Sequence, residues 1–194
     1  MRHSLTARGL RFALRPVAEA DAAFILQVRR GHPFIARGAE SLQQQREWLA
    51  SYFDREHDYC FVVEDVSTGE PHGLVGIYSI DRERNCAEWG RWVLRAGSPA
   101  ACESALLVYT CAFNELGLAK VYCRTLAENA QVVSFHDSCG LERMAQAVEV
   151  TVDGNPRLAV EHHLAREHWP IVRRRLAALA ERFAQRGKAA ASTS

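Results

Sequence analysis

Hydrophobic positions along the chain change period several times. In FALRPV (12–17) they fill a short run stopped by Pro16, which predicts a first strand. Over EADAAFILQVRR (19–30), Ala22, Phe24, Ile25 and Val28 recur near helical spacing, and GHPFIARG follows as a loop. Over SLQQQREWLASYFDRE (41–56), Leu42, Trp48, Leu49, Tyr52 and Phe53 share a helical face, with Ser41 placed as N-cap. DYCFVVEDV (58–66) and HGLVGIYSI (72–80) flank the turn-rich STGEP and predict a hairpin. CAEWGRWVL (86–94) predicts another strand, with Trp89 and Trp92 on opposite faces. A helix is expected over about 99 to 115, stopped by Gly117. AKVYCRTLA (119–127) reads as a strand, and ENAQVVSFHDSCG (128–140) as a helix with Gly140 at its C-terminal cap. ERMAQAVEVTV and LAVEHHLAREHW flank DGNPR, a strong turn signal, and predict a final hairpin.

The order β-α-α-β-β-β-loop-α-β-α-β-β predicts an α+β fold, a mixed sheet with helices on both sides. No repeat and no long linker divides residues 1–169. Beyond them, Ile171, Val172, Leu176, Leu179 and Phe183 share one face of a predicted helix over 170–186, with Arg173, Arg174, Arg175, Arg182 and Arg186 mostly off it. That helix is expected to pack on its own domain or on a subunit neighbour, so a homodimer is one arrangement it allows. A peripheral membrane helix is the alternative. Residues 187–194 are expected to form a flexible tail.

Composition narrows the class. The chain has 194 residues, enough for one sizeable core, and a formal net charge of +1. That balance gives no argument for nucleic acid as a partner. No apolar run approaches the roughly 20 residues needed to cross a bilayer, so no membrane insertion is expected. Cys60, Cys86, Cys102, Cys111, Cys123 and Cys139 form no C-x-x-C pair. They are expected to be reduced and structural, in a cytoplasmic protein. His162 and His163 are adjacent, and on a strand they face opposite sides, so no metal site is expected.

LRAGSPAACESA (94–105) joins a strand to a helix through small residues, a place where proteins often hold a phosphate. It has one glycine, Gly97, with Pro99 where a second might stand. Ser98 suits an N-cap and Pro99 the first helical turn. Proline removes one N–H, which leaves those of Ala100, Ala101 and Cys102 for an anion, with Ser98 a further donor.

Four stretches carry a resemblance to the GNAT superfamily of acyl-CoA-dependent N-acetyltransferases. LRPVAEAD, AEWGRWVL, the run AFNELGLAKVYCRTLAENAQVVSFHDSCGLER and the closing LAREHW occur in that family's order, over about residues 10 to 169. They are most similar to the branch with ribosomal-protein N-terminal acetyltransferases. Within it, the AEWG strand, the LA-x-N turn and the pair Phe135–His136 resemble enzymes that acetylate nucleotide-linked amino sugars of the pseudaminic-acid pathway.

The resemblance implies the GNAT fold, mostly antiparallel, and acetyl-CoA as acyl donor. It implies an acceptor amine on a UDP-linked 4-amino deoxy sugar, for surface or flagellar glycans. Acetyl transfer needs a base for the amine, donors for the oxyanion and a proton for the leaving thiolate. The resemblance places Glu88 as base, and backbone N–H groups around Trp92, Val93 and Leu94 at the oxyanion. It places His136 as the acid or hydrogen-bond donor to sulfur, as imidazolium or as neutral imidazole. Asn129 would hold the pantetheine arm or cap its helix. Gly97, Ser98, Ala100, Ala101 and Cys102 would face the pyrophosphate. Two other functions stay open: acetylation of a protein N-terminus, and a degenerate GNAT-fold binding module without catalysis.

Overall fold

The computed structural model describes residues 2–191. Nine strands form one sheet: β1 (Ala7–Arg8), β2 (Phe12–Pro16), β3 (Tyr59–Asp65), β4 (Pro71–Asp81), β5 (Cys86–Leu94), β6 (Lys120–Leu126), β7 (Glu142–Arg143), β8 (Val148–Val152) and β9 (Asn155–Ala165). Their order is β1-β2-β3-β4-β5-β6-β9-β7, with β8 also paired to β9. Neighbours are antiparallel except β5 and β6, which run parallel. Asp153 and Gly154 close the β8–β9 hairpin, both at positive φ, which suits the twist of the two strands.

Helices cover both faces. α1 (Ala22–Arg29) and α2 (Leu42–Phe53) pack Ile25, Leu49 and Tyr52 on Cys60, Val62, Leu74 and Val93. Ser41 caps α2, its side chain accepting from the Gln44 N–H. α3 (Ala101–Thr110) continues as a π-turn to Glu115 and packs on the other face, over Phe61, Val75, Ile77 and Trp89. α4 (Ala130–Cys139) ends at Gly140, which takes the left-handed conformation that lacks a steric cost only in glycine.

α5 (Trp169–Ala191) runs past residue 186, so 187–191 are helical, while 192–194 lie outside the described residues. Trp169, Val172 and Leu176 join the α3 side of the core, whereas Ile171 and Phe183 stay exposed. The apolar edge of α5 thus lies against its own domain. No described helix is long and apolar enough to cross a membrane.

One expectation fails in an informative way. Trp89 and Trp92 lie on the same face, with ring centroids 5.4 Å apart. Gly90 pairs with Gly76 and Val93 with Leu74, so Arg91 and Trp92 together oppose Val75. This is a β-bulge, and Arg91 adopts φ 52° there. The extra residue resets the alternation and turns both indoles toward α3: Trp89 donates to Tyr109 Oη at 2.8 Å and Trp92 to Ser104 Oγ at 3.0 Å. A second register shift follows Tyr78, where Ser79 has φ 52°. Between the two irregularities, Tyr78 and Glu88 face each other across the ladder.

Candidate active site

Strands β5 and β6 pair only over Cys86–Lys120, Ala87–Val121 and Glu88–Tyr122. Both continue beyond that point without bonding, so the sheet splits into a wedge. A cleft of about 330 Å³ occupies it, lined by Tyr78, Glu88, Trp92, Arg124, Asn129 and His136 among others. The α1–α2 loop contributes His32, Phe34 and Ile35, and β8 contributes Val150, Thr151 and Val152.

Glu88 follows the period of Tyr78 and faces away from Trp89. Tyr78 Oη donates to Glu88 Oε1 at 3.3 Å, and Arg124 Nη1 to Oε2 at 3.3 Å. Arg124 also donates to Glu161 Oε2 at 2.8 Å, so its charge is shared between two carboxylates. Burial raises the Glu88 pKa, against the lowering pull of Arg124 and Tyr78. Arg91, three residues on, is not its partner. The guanidinium crosses over the Tyr78 ring at 4.2 Å and donates to Asp58 at 2.5 and 2.9 Å.

Gly90 leaves the space that Tyr78 needs. A Cβ there would lie 2.4 Å from Tyr78 Oη, and the ring cannot swing freely beneath Arg91. Gly90→Ala is expected to push the hydroxyl off Glu88 and lower kcat about tenfold, since misplacing a positioned group costs rate steeply. Steady-state kinetics on folded variant decide it, and an unchanged kcat contradicts the role.

His136 projects from α4 into the opposite side of the wedge. It is 2% exposed and packed by Trp89, Trp92, Phe135 and His162. Burial, with the neighbouring His162, lowers its pKa to about 3. Near neutral pH the ring is therefore an uncharged imidazole, and of the two forms left open by the sequence the imidazolium is disfavoured. A neutral N–H donor remains. Asn129 caps α4, its Oδ1 accepting from the Val132 N–H at 3.4 Å, and also lines the cleft.

Trp92 lines the cleft, whereas Val93 and Leu94 pair with Leu74 and Gly73 on β4. The bulge at Arg91 and Trp92 leaves backbone groups out of the ladder at the mouth of the wedge. In the turn before α3, Gly97 has φ 73° and faces open space. Ala100 is fully buried and its N–H donates to Ser98 Oγ at 3.3 Å, so it is not free for an anion; Cys102 is buried as well. Ser98, Gly97 and Ala101 keep exposed surface.

The Ser98 hydroxyl gains a direction from residues the sequence reading missed. Arginine can only donate, so Arg95 Nη2 donates to His72 Nε2 at 2.7 Å. Burial and the Arg95 charge lower the His72 pKa, consistent with a neutral ring carrying its proton on Nδ1. Nδ1–H then donates to Ser98 Oγ at 2.9 Å. With the Ala100 N–H as second donor, Oγ is filled as an acceptor and its own proton is left to donate. An anion brought to this loop would meet a hydroxyl, a permissive glycine and the first N–H groups of a ten-residue helix. These residues fit a phosphate-bearing donor despite Pro99. Among the described residues, no group of three or more His, Cys, Asp or Glu side chains is placed to hold a metal ion.

An open sheet that splits between two parallel strands, with Glu88 and His136 both lining the gap, frames one cleft in which two reactants can meet. The chain belongs to the GNAT family of N-acetyltransferases: the family model described as acetyltransferase (GNAT) domain matches residues 11–142. No curated protein matches the sequence. Solved structures do. Apo FdhC, a nucleotide-linked sugar GNAT, aligns with a TM-score of 0.78 at 24% identity, over 92% of this chain and 99% of that one. A GCN5-related N-acetyltransferase from Brucella melitensis aligns at 0.78 and 17% identity, over 91% and 86%. A point mutant of the spermidine N-acetyltransferase SpeG from Vibrio cholerae aligns at 0.72 and 20% identity, over 82% and 96%. At these identities the likeness shows the shared fold.

Proposed function

We propose that the protein transfers an acetyl group from acetyl-CoA to the amine of a small acceptor, with a UDP-linked 4-amino deoxy sugar as the favoured class. The observation that carries this reading is the wedge itself, with Glu88 on its α1–α2 side and His136 on the other. Acetyl-CoA supplies the activated thioester when bound. Gly97, Ser98 and the α3 N-terminus would hold its phosphates, and Asn129, which lines the cleft, would meet the pantetheine arm. Glu88 takes the proton from the acceptor amine, directly or through a water, and becomes a neutral carboxylic acid, while Arg124 keeps Glu161 as its charged partner. Backbone N–H groups freed at the Arg91–Trp92 bulge receive the developing oxyanion. His136, as neutral imidazole, donates a hydrogen bond toward the departing sulfur.

The test is purified protein with acetyl-CoA and a panel of amines: UDP-4-amino sugars, spermidine and a basic peptide N-terminus. Acetylated sugar by mass spectrometry, at a kcat/KM well above the other amines, is expected. Acetylation of the peptide alone would establish the protein N-terminus as acceptor. Absence of coenzyme A binding at millimolar ligand would leave a binding module without catalysis.

A further inference from the structure

A second hollow, of about 310 Å³, lies beside the cleft on the α1–α2 face of the sheet. Ile35 and Arg91 line both. The polar side chains of its wall are Arg29, Gln45, Arg55 and Arg91. Asp58 answers part of that charge, bound to Arg91 and 3.6 Å from Arg55. Arg29 has no carboxylate within 4.0 Å among the described residues, and its Nη2 donates to the Ala36 carbonyl at 3.2 Å. Three guanidinium groups thus share one directly paired carboxylate, Asp58, with Asp153 acting on Arg29 from beyond 4.0 Å. Burial lowers the Arg29 pKa and the Arg91 charge adds to this, against the opposing pull of Cys60 and Asp153.

Gln45 adds an independent sign. It sits on α2 at 2% exposure, and its Nε2 has no acceptor among the described residues. Buried amides are nearly always paired, so an unpaired donor in a cavity wall points to an acceptor brought from outside. Ile25, Trp48 and Leu74 complete the wall with apolar surface. Trp48 stacks on Tyr52 at 5.5 Å and 7°, and the Arg55 guanidinium lies over its ring at 5.5 Å.

We infer that this hollow seats the anionic, ring-bearing end of the acceptor, a nucleoside diphosphate group, while the amine end reaches Glu88. Phosphate oxygens meet Arg29 and the Gln45 amide, and the base lies against the Trp48 wall. A polycation is repelled by the same wall. The inference rests on the acyl-transfer reading of the neighbouring cleft.

Isothermal titration of the full chain with uridine diphosphate, inorganic pyrophosphate, spermidine and coenzyme A tests it. Uridine diphosphate is expected to bind below millimolar, pyrophosphate at least fivefold more weakly, and spermidine without heat. Arg29→Gln should weaken uridine diphosphate tenfold or more and leave coenzyme A unchanged. Gln45→Leu should weaken it severalfold while raising the Tm, because the unpaired donor is gone. In turnover, uridine diphosphate should compete with the acceptor. No binding, binding untouched by both variants, pyrophosphate as tight as the nucleotide, or non-competitive inhibition would each overturn the assignment. Coenzyme A binding without nucleotide binding sinks this inference alone. Nucleotide binding without coenzyme A binding sinks the acetyl-transfer reading and leaves the anion site.

Discussion

Glu88→Gln is expected to lower kcat about 100-fold, the lower end of what a positioned general base contributes. The substitution keeps the shape and the Tyr78 contact but removes the proton acceptor. Glu88 is suited to the task because its side chain is only 13% exposed and burial raises its pKa. A raised pKa brings a carboxylate closer to the amine it must deprotonate. Activity should therefore rise with pH along a limb that lies above the ordinary glutamate range, since the carboxylate must first lose its own proton. In Glu88→Gln that limb should flatten. Arg124→Gln should move it further up, because Arg124 is the chief group holding the pKa down. A Glu88→Gln enzyme with kcat within threefold of the parent and the same acidic limb would remove Glu88 from the chemistry.

The second expected result is a loss of stability toward mild acid that disappears in His136→Phe. An unfolded histidine has a pKa near 6.5, while burial lowers that of folded His136 to about 3. Below about pH 6.5 the unfolded chain takes up a proton that the folded chain refuses, so stability is full above that pH and falls as pH drops toward 3. From pH 8 down to pH 5 the loss from this one group is about 2 kcal/mol, with the slope approaching 1.36 kcal/mol per pH unit below pH 6. Phenylalanine fits the same aromatic surroundings, formed by Trp89, Trp92 and Phe135, and carries no proton. Urea denaturation at several pH values compares the two proteins. Parallel curves for parent and variant would show that His136 titrates normally. The result also separates the limbs of the rate profile, since a group that stays neutral from pH 5 to 8 leaves the acidic limb to Glu88.

Much of the frame was legible because local rules and the tertiary structure agree. The β5 stretch CAEWGRWVL is bounded as its pattern implies, Ser41 caps α2, and Gly140 ends α4 in the left-handed region. The family resemblance brought Glu88, Trp92, Asn129 and His136 to what proves to be one cleft. What sequence concealed depends on partners distant in the chain. The bulge places its positive φ on Arg91 and not on the neighbouring Gly90, so strict alternation misplaced Trp92. Arg124 reaches Glu88 only because β6 lies parallel to β5. His72 reaches Ser98 across 26 positions, and nothing near LRAGSPAA hints at a histidine that orients its hydroxyl. The protonation state of His136 is set by the indoles around it, which a motif match does not report.

The six cysteines, all buried and unpaired, bear on how the protein can be assayed. Burial pushes the Cys60 and Cys139 thiols up to about 11 and that of Cys111 up to about 12. Enclosed thiols held in the protonated form react slowly with disulfide reagents, which attack through the thiolate. Ellman's reagent added to the native enzyme should therefore report the thiol of released coenzyme A against a low background. Added during denaturation, the same dye counts molecules that have opened, so one reagent reads turnover in the folded chain and unfolding in the rest.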